Sequence, residues 1–69
     1  MKVSESAVVQ RIRRRLRHDG ERLVKARRYE PTLGDWYVLD GRNIPTCVDI
    51  ELEGFARELD VLSKWETMV

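Results

Sequence analysis

The sequence predicts an α+β fold in the order α-β-β-β-α, a three-stranded antiparallel sheet with two helices packed on one face. Three observations point to it. Apolar residues recur at helical spacing near both ends, over residues 5–18 and 49–62. The middle, residues 21–48, holds short β-branched and aromatic runs punctuated by Gly, Pro and Asp-Gly. And 69 residues, 42% hydrophobic and 36% charged, suit one folded domain over 1–69 rather than a disordered chain.

The first helix is expected over about 5–18. Ser4 and Ser6 are both N-cap residues by type, and Glu5 suits the positive end of a helix. Val8, Val9, Ile12 and Leu16 form one apolar stripe. Arg17 and His18 suit the negative end, and Gly20 supplies the left-handed stop.

Residues 21–28 read as the first strand, with Val24 and Ala26 on one face and Leu23, Lys25 and Arg27 on the other. Pro31 and Gly34 punctuate a turn over 29–34. Asp35 to Leu39 reads as the central strand, and Asp40-Gly41-Arg42-Asn43 as a hairpin turn in which Asp-Gly takes positive φ. Ile44 to Val48 is the third strand, placed at an edge because Pro45 lacks a donor.

Asp49 is the expected N-cap of the second helix, 49–62. Its stripe is Leu52, Phe55, Ala56, Leu59 and Leu62, with Glu53 and Arg57 at i, i+4. Gly54 costs up to about 1 kcal/mol against Ala in a helix, which suggests a close approach to the sheet. Residues 63–69, with Trp65, are a tail that packs or frays.

The charges divide the chain. Residues 1–29 carry ten Lys or Arg against Glu5, Asp19 and Glu21, a balance of +7. Residues 30–69 carry Arg42, Arg57 and Lys64 against nine carboxylates, a balance of −6. Opposed halves in a chain of net charge +1 point to a polarised binding surface.

Catalysis and metal binding find little support. His18 has only the adjacent Asp19 to orient it, and Cys47 on a strand beside Pro45 is a small packing residue before it is a reactive thiol. One cysteine can form neither an intrachain disulfide nor a cysteine metal cluster, and Asp49, Glu51 and Glu53 point in different directions on a helix. No catalytic residue, metal or cofactor is expected. With no apolar run near the roughly 18 residues of a membrane span and no signal-type h-region, the expected location is the cytoplasm.

The basic candidates are Arg11, Arg13, Arg14, Arg15 and Arg17 on the first helix, extended by Arg22, Lys25, Arg27 and Arg28 on the first strand. Guanidinium forks match phosphate oxygens, so this cluster suits a nucleic-acid backbone or an acidic protein surface. The bland alternative is a solvated face paired with the protein's own acidic helix. The acidic candidates are Glu51, Glu53 and Glu58, with Asp49 and Asp60 beside them, able to enter a basic groove on a partner. Trp36 and Tyr37 point to opposite sheet faces, one core and one open. Trp36 and Trp65 are the candidate aromatic anchors.

The α-β-β-β-α order resembles that of the double-stranded-RNA-binding domain. That family carries a basic N-terminus on its last helix. Here the matching segment, Asp49-Ile50-Glu51-Leu52-Glu53, is acidic. The segments Leu33–Asp40 and Val48–Leu62 look like small uncharacterised bacterial proteins carried near phage or mobile-element genes. By analogy, charge-polarised proteins of that origin include anti-CRISPR inhibitors. The resemblance implies a non-catalytic interaction protein that blocks or modulates a nucleic-acid-processing complex. The alternatives are a direct RNA- or DNA-binding module using the arginine helix, and a homodimer joining the basic half of one copy to the acidic half of another.

Overall fold

A computed structural model describes the backbone of residues 1–69 and all side chains except those of Tyr29 and Glu30. The elements run β1 (Lys2–Val3), α1 (Glu5–Arg17), β2 (Arg22–Glu30), β3 (Gly34–Leu39), β4 (Pro45–Cys47), α2 (Leu52–Glu58) and β5 (Thr67–Met68). The antiparallel sheet has the order β2-β3-β4, so the expected α-β-β-β-α core is present with Pro45 on an edge strand. Two short strands outside that order, β1 and β5, pair in parallel.

The first helix forms for the reasons its sequence gives. Ser4 caps it, its side chain accepting from the Ala7 amide at 3.2 Å. Gly20 at φ 71° ends it, and the Glu21 amide donates back to the Leu16 carbonyl at 3.1 Å. Val8, Val9, Ile12 and Leu16 are buried, and so are Leu23 and Val38, which face each other across β2 and β3. That face of the sheet therefore lies under α1. Leu52, Ala56, Leu62 and Val3 complete the core.

The β3–β4 turn departs from expectation. Gly41 is not at positive φ; Asn43 is, at 63°. Asp40 organises the turn with its side chain, whose Oδ1 accepts from the amides of Arg42 at 2.8 Å and Ile44 at 3.0 Å. A type I turn followed by a left-handed residue gives the strands the same reversal as Asp-Gly would.

The second helix is shorter than 49–62, and Glu51 rather than Asp49 caps it. The backbone amides of Asp49 and Ile50 are already bonded to the carbonyls of Leu33 and Trp36, at 2.8 and 3.1 Å. Those bonds hold 49–50 against β3, with Asp49 at φ 52°, so helical hydrogen bonding starts only beyond them. At the other end Asp60 turns left-handed (φ 59°) and the Val61 amide closes on the Ala56 carbonyl at 3.0 Å. Gly54 does not approach the sheet: a Cβ there would lie 2.6 Å from the Glu51 carboxylate, so the glycine makes room for the cap.

Residues 63–69 are not a fraying tail. The Met1 amine donates to the Trp65 carbonyl at 2.8 Å, and the Thr67 and Val69 amides to the carbonyls of Met1 and Val3 at 2.9 and 2.8 Å. Glu66 is 6% exposed, the one buried charged residue among those described. Arg11 reaches its two oxygens at 3.0 and 3.2 Å with the same nitrogen that donates to the Val61 carbonyl at 3.1 Å. The Ser63 amide donates to Glu66 Oε1 at 3.0 Å, and Arg57 donates to the Glu66 carbonyl at 2.8 Å. Every polar atom of this buried group therefore has a partner, as burial of a charge demands.

Candidate functional site

Of the nine basic residues singled out from sequence, three have their charge engaged within the fold and six meet no described carboxylate. Arg11 turns inward to Glu66. Arg15 pairs with Asp19 at 3.2 Å, an exposed i, i+4 contact that contributes a few tenths of a kcal/mol. Lys25 lies over the Trp36 ring, 5.7 Å from its centroid, with its charge facing the π cloud. Arg22 donates to the Asn43 side-chain oxygen, which leaves its charge unmatched.

Arg13, Arg14 and Arg17 are exposed on α1, and Arg22, Arg27 and Arg28 on β2. None of these six meets a carboxylate among the described side chains. Arg13 ties the two elements together, its Nε donating to the Leu23 carbonyl of β2 at 3.4 Å. Because α1 packs on β2, an edge strand, the two sets of arginines lie on adjoining elements, although Arg22, next to the buried Leu23, points to the opposite, open face of the sheet.

The acidic half is organised differently. Glu51 accepts from the Gly54 amide at 2.7 Å, and Glu53 is bound to Arg57 at 3.2 Å and to the Met68 amide at 2.6 Å. The Met68 hydrogen bond, followed by Arg57, holds the Glu53 carboxyl below its ordinary range. The Ser63 amide, then Arg11, does the same for Glu66. Glu58, Asp49 and Asp60 remain exposed. Of the three acidic candidates named from sequence, only Glu58 has no role within the chain's own hydrogen bonding.

Trp36 lies on the core side of β3 and packs against the buried cluster, so Tyr37 is the aromatic residue on the open face. Trp65 is 73% exposed. Ile44 and Val48, flanking β4, are exposed as well, at 51% and 45%. The sequence left Glu66 and Val3 unassigned; a single carboxylate between Trp65 and Thr67 was the available signal for the first.

His18 is exposed at the C-cap of α1, and Cys47 is exposed on β4 with a free thiol. Among the described residues no three His, Cys, Asp or Glu side chains converge on a point where a metal ion could sit. No helix is long and apolar enough to cross a membrane. No protein-family model, curated protein or solved structure matches the chain.

Proposed function

We propose that the chain is a non-catalytic binding module that engages the phosphate backbone of a nucleic acid through the exposed arginines of α1 and β2. The observation that carries this reading is the unequal use of charge. Glu51, Glu53 and Glu66 are bonded within the fold, whereas six arginines on adjoining elements face solvent without a described carboxylate partner. Like charges held side by side repel, and the core gains nothing from them. A polyanion relieves that repulsion, and the guanidinium fork suits its oxygens.

Binding of this kind depends on released counterions. With about six phosphates engaged by these arginines, log affinity should fall with log salt at a slope on the order of −4 to −5. Fluorescence anisotropy with labelled DNA and RNA over a salt series measures it. Background binding to every probe at low salt removes the reading.

A second reading, a phage-type inhibitor docking on a protein of a nucleic-acid-processing complex, is favoured by the exposed Ile44 and Val48 beside β4. There the apolar edge holds the protein partner and the arginines occupy its nucleic-acid path. Loss of that complex from a host pull-down on Ile44→Asp with Val48→Asp, but not on charge reversal of α1, would favour it. A cytoplasmic setting fits either reading and the free thiol of Cys47.

A further inference from the structure

The strongest feature beside the arginine face is a groove made of two adjoining hollows. One part, about 440 Å³, has Arg14, Arg15 and His18 of α1 on one wall and Asp60, Val61 and Ser63 on the other. The next part, about 530 Å³, shares Asp60 and Ser63 and ends against Lys64 and Trp65. Trp65 is the largest exposed apolar side chain described, and its backbone is tied into the fold. The Met1 amine bonds its carbonyl, and the Glu66 amide closes the turn onto the Ser63 carbonyl at 3.1 Å. Glu66 in turn is fixed by Arg11 and the Ser63 amide. A large ring left in water on an immobilised turn is preorganised for a planar ligand, because little freedom remains to be lost on binding.

We propose that this groove takes a single nucleic-acid strand, with phosphates on Arg14 and on Arg15, which gives up its exposed contact with Asp19, and an unpaired base stacked on Trp65. The proposal rests on the polyanion reading above and narrows it to single strands. A cationic wall running into an aromatic platform is the combination by which single strands are held without sequence preference. A duplex cannot use the platform, since its bases are already stacked. Asp60, exposed on the groove, and Asp19, held by Arg15, oppose the strand, whereas the Glu66 carboxylate that also lines the groove is matched by Arg11.

The test uses the whole chain with single-stranded DNA and single-stranded RNA of about 12 nucleotides, the matching duplex, and polyglutamate, which carries charge without bases. Both single strands should quench tryptophan emission, in Trp36→Phe as in the wild type, because stacking does not depend on the sugar. Trp65→Ala should weaken single-strand binding by roughly ten-fold or more and leave duplex binding unchanged. Asp60→Asn should tighten single-strand binding a few-fold. Circular dichroism on each variant establishes that it is folded, which the exposure of both side chains favours. Equal affinity for strand and duplex, with no effect of Trp65→Ala, overturns the groove and leaves the arginine face standing. Quenching by polyglutamate as strong as by the oligonucleotides overturns stacking and points to an acidic protein. No binding of any probe at low salt overturns both proposals.

Discussion

Arg11 on the first helix and Glu66, fifty-five residues further on, meet through one guanidinium nitrogen lying 3.0 and 3.2 Å from the two carboxylate oxygens. That nitrogen also holds the Val61 carbonyl, so a single side chain joins α1, the turn after α2 and the residue that precedes β5. The contact separates Arg11 from the arginines beside it in sequence. It also brings the clasp of β1 and β5 into register with the core, because Glu66 sits one residue before β5.

Removing Arg11 leaves the buried Glu66 carboxylate without its counter-charge, with only the Ser63 amide to hold it, which costs more than the pair itself contributes. Glu66→Met should lower the thermal midpoint by several degrees, and Arg11→Met should do likewise. The double variant Arg11→Met with Glu66→Met should recover part of the loss. A double-mutant cycle from thermal melts measures the coupling. Additive losses would show that the two side chains act independently.

Acid should loosen the clasp. The carboxyls of Glu53 and Glu66 are both held below their ordinary value of 4.5 in the folded chain. A depressed pKa means that the unfolded chain binds protons more readily. The resulting stability is present in full above the ordinary carboxylate range and is lost as pH falls from there through the lowered folded values. Urea midpoints at neutral pH should therefore exceed those near pH 3. Glu53→Gln with Glu66→Gln should flatten that dependence; an unchanged profile would contradict the assignment.

Ile12 is 0% exposed at the centre of the helix–sheet contact. Ile12→Ala should cost about 2–5 kcal/mol through lost burial and a residual cavity. For a domain this small the whole stability is on the order of 5 kcal/mol, so the variant should be largely unfolded at body temperature by far-ultraviolet circular dichroism.

Gly34 has φ 73°, and a Cβ there would lie 2.7 Å from the Asp49 Cα. Both the left-handed backbone and the close approach exclude a side chain. Gly34→Ala should destabilise by roughly 1–3 kcal/mol. Gly20 has a similar φ but open space around it, so Gly20→Ala should cost less. Chemical denaturation of the two variants gives the comparison.

The fold was legible where its causes are local. The Val8–Leu16 stripe, the Gly20 stop and the aromatic run of β3 each act over a few residues, and each element formed where they indicate. The second helix was read too long because its apolar spacing continues past Asp60, yet Leu62 reaches the core from outside the helix. Its start was misjudged because the bonds that hold Asp49 and Ile50 come from β3, distant in sequence. The clasp left no pattern at all: two residues per strand are too few to show alternation, and their pairing depends on closing the chain end to end. The arginine cluster was visible as composition. Which of its members face solvent required Glu66 and Asp19 to be in place.

Reversing the charge of the arginines left facing solvent on α1 tests the central claim most directly. Arg13→Glu, Arg14→Glu and Arg17→Glu, made together, break no ion pair among the described residues and give up one long hydrogen bond, from Arg13 to the Leu23 carbonyl at 3.4 Å. In low salt the folded triple variant should lose nucleic-acid affinity by at least about a hundred-fold, with the salt slope reduced by roughly half. Wild-type affinity and slope in that variant would contradict the account and move the binding surface away from the first helix.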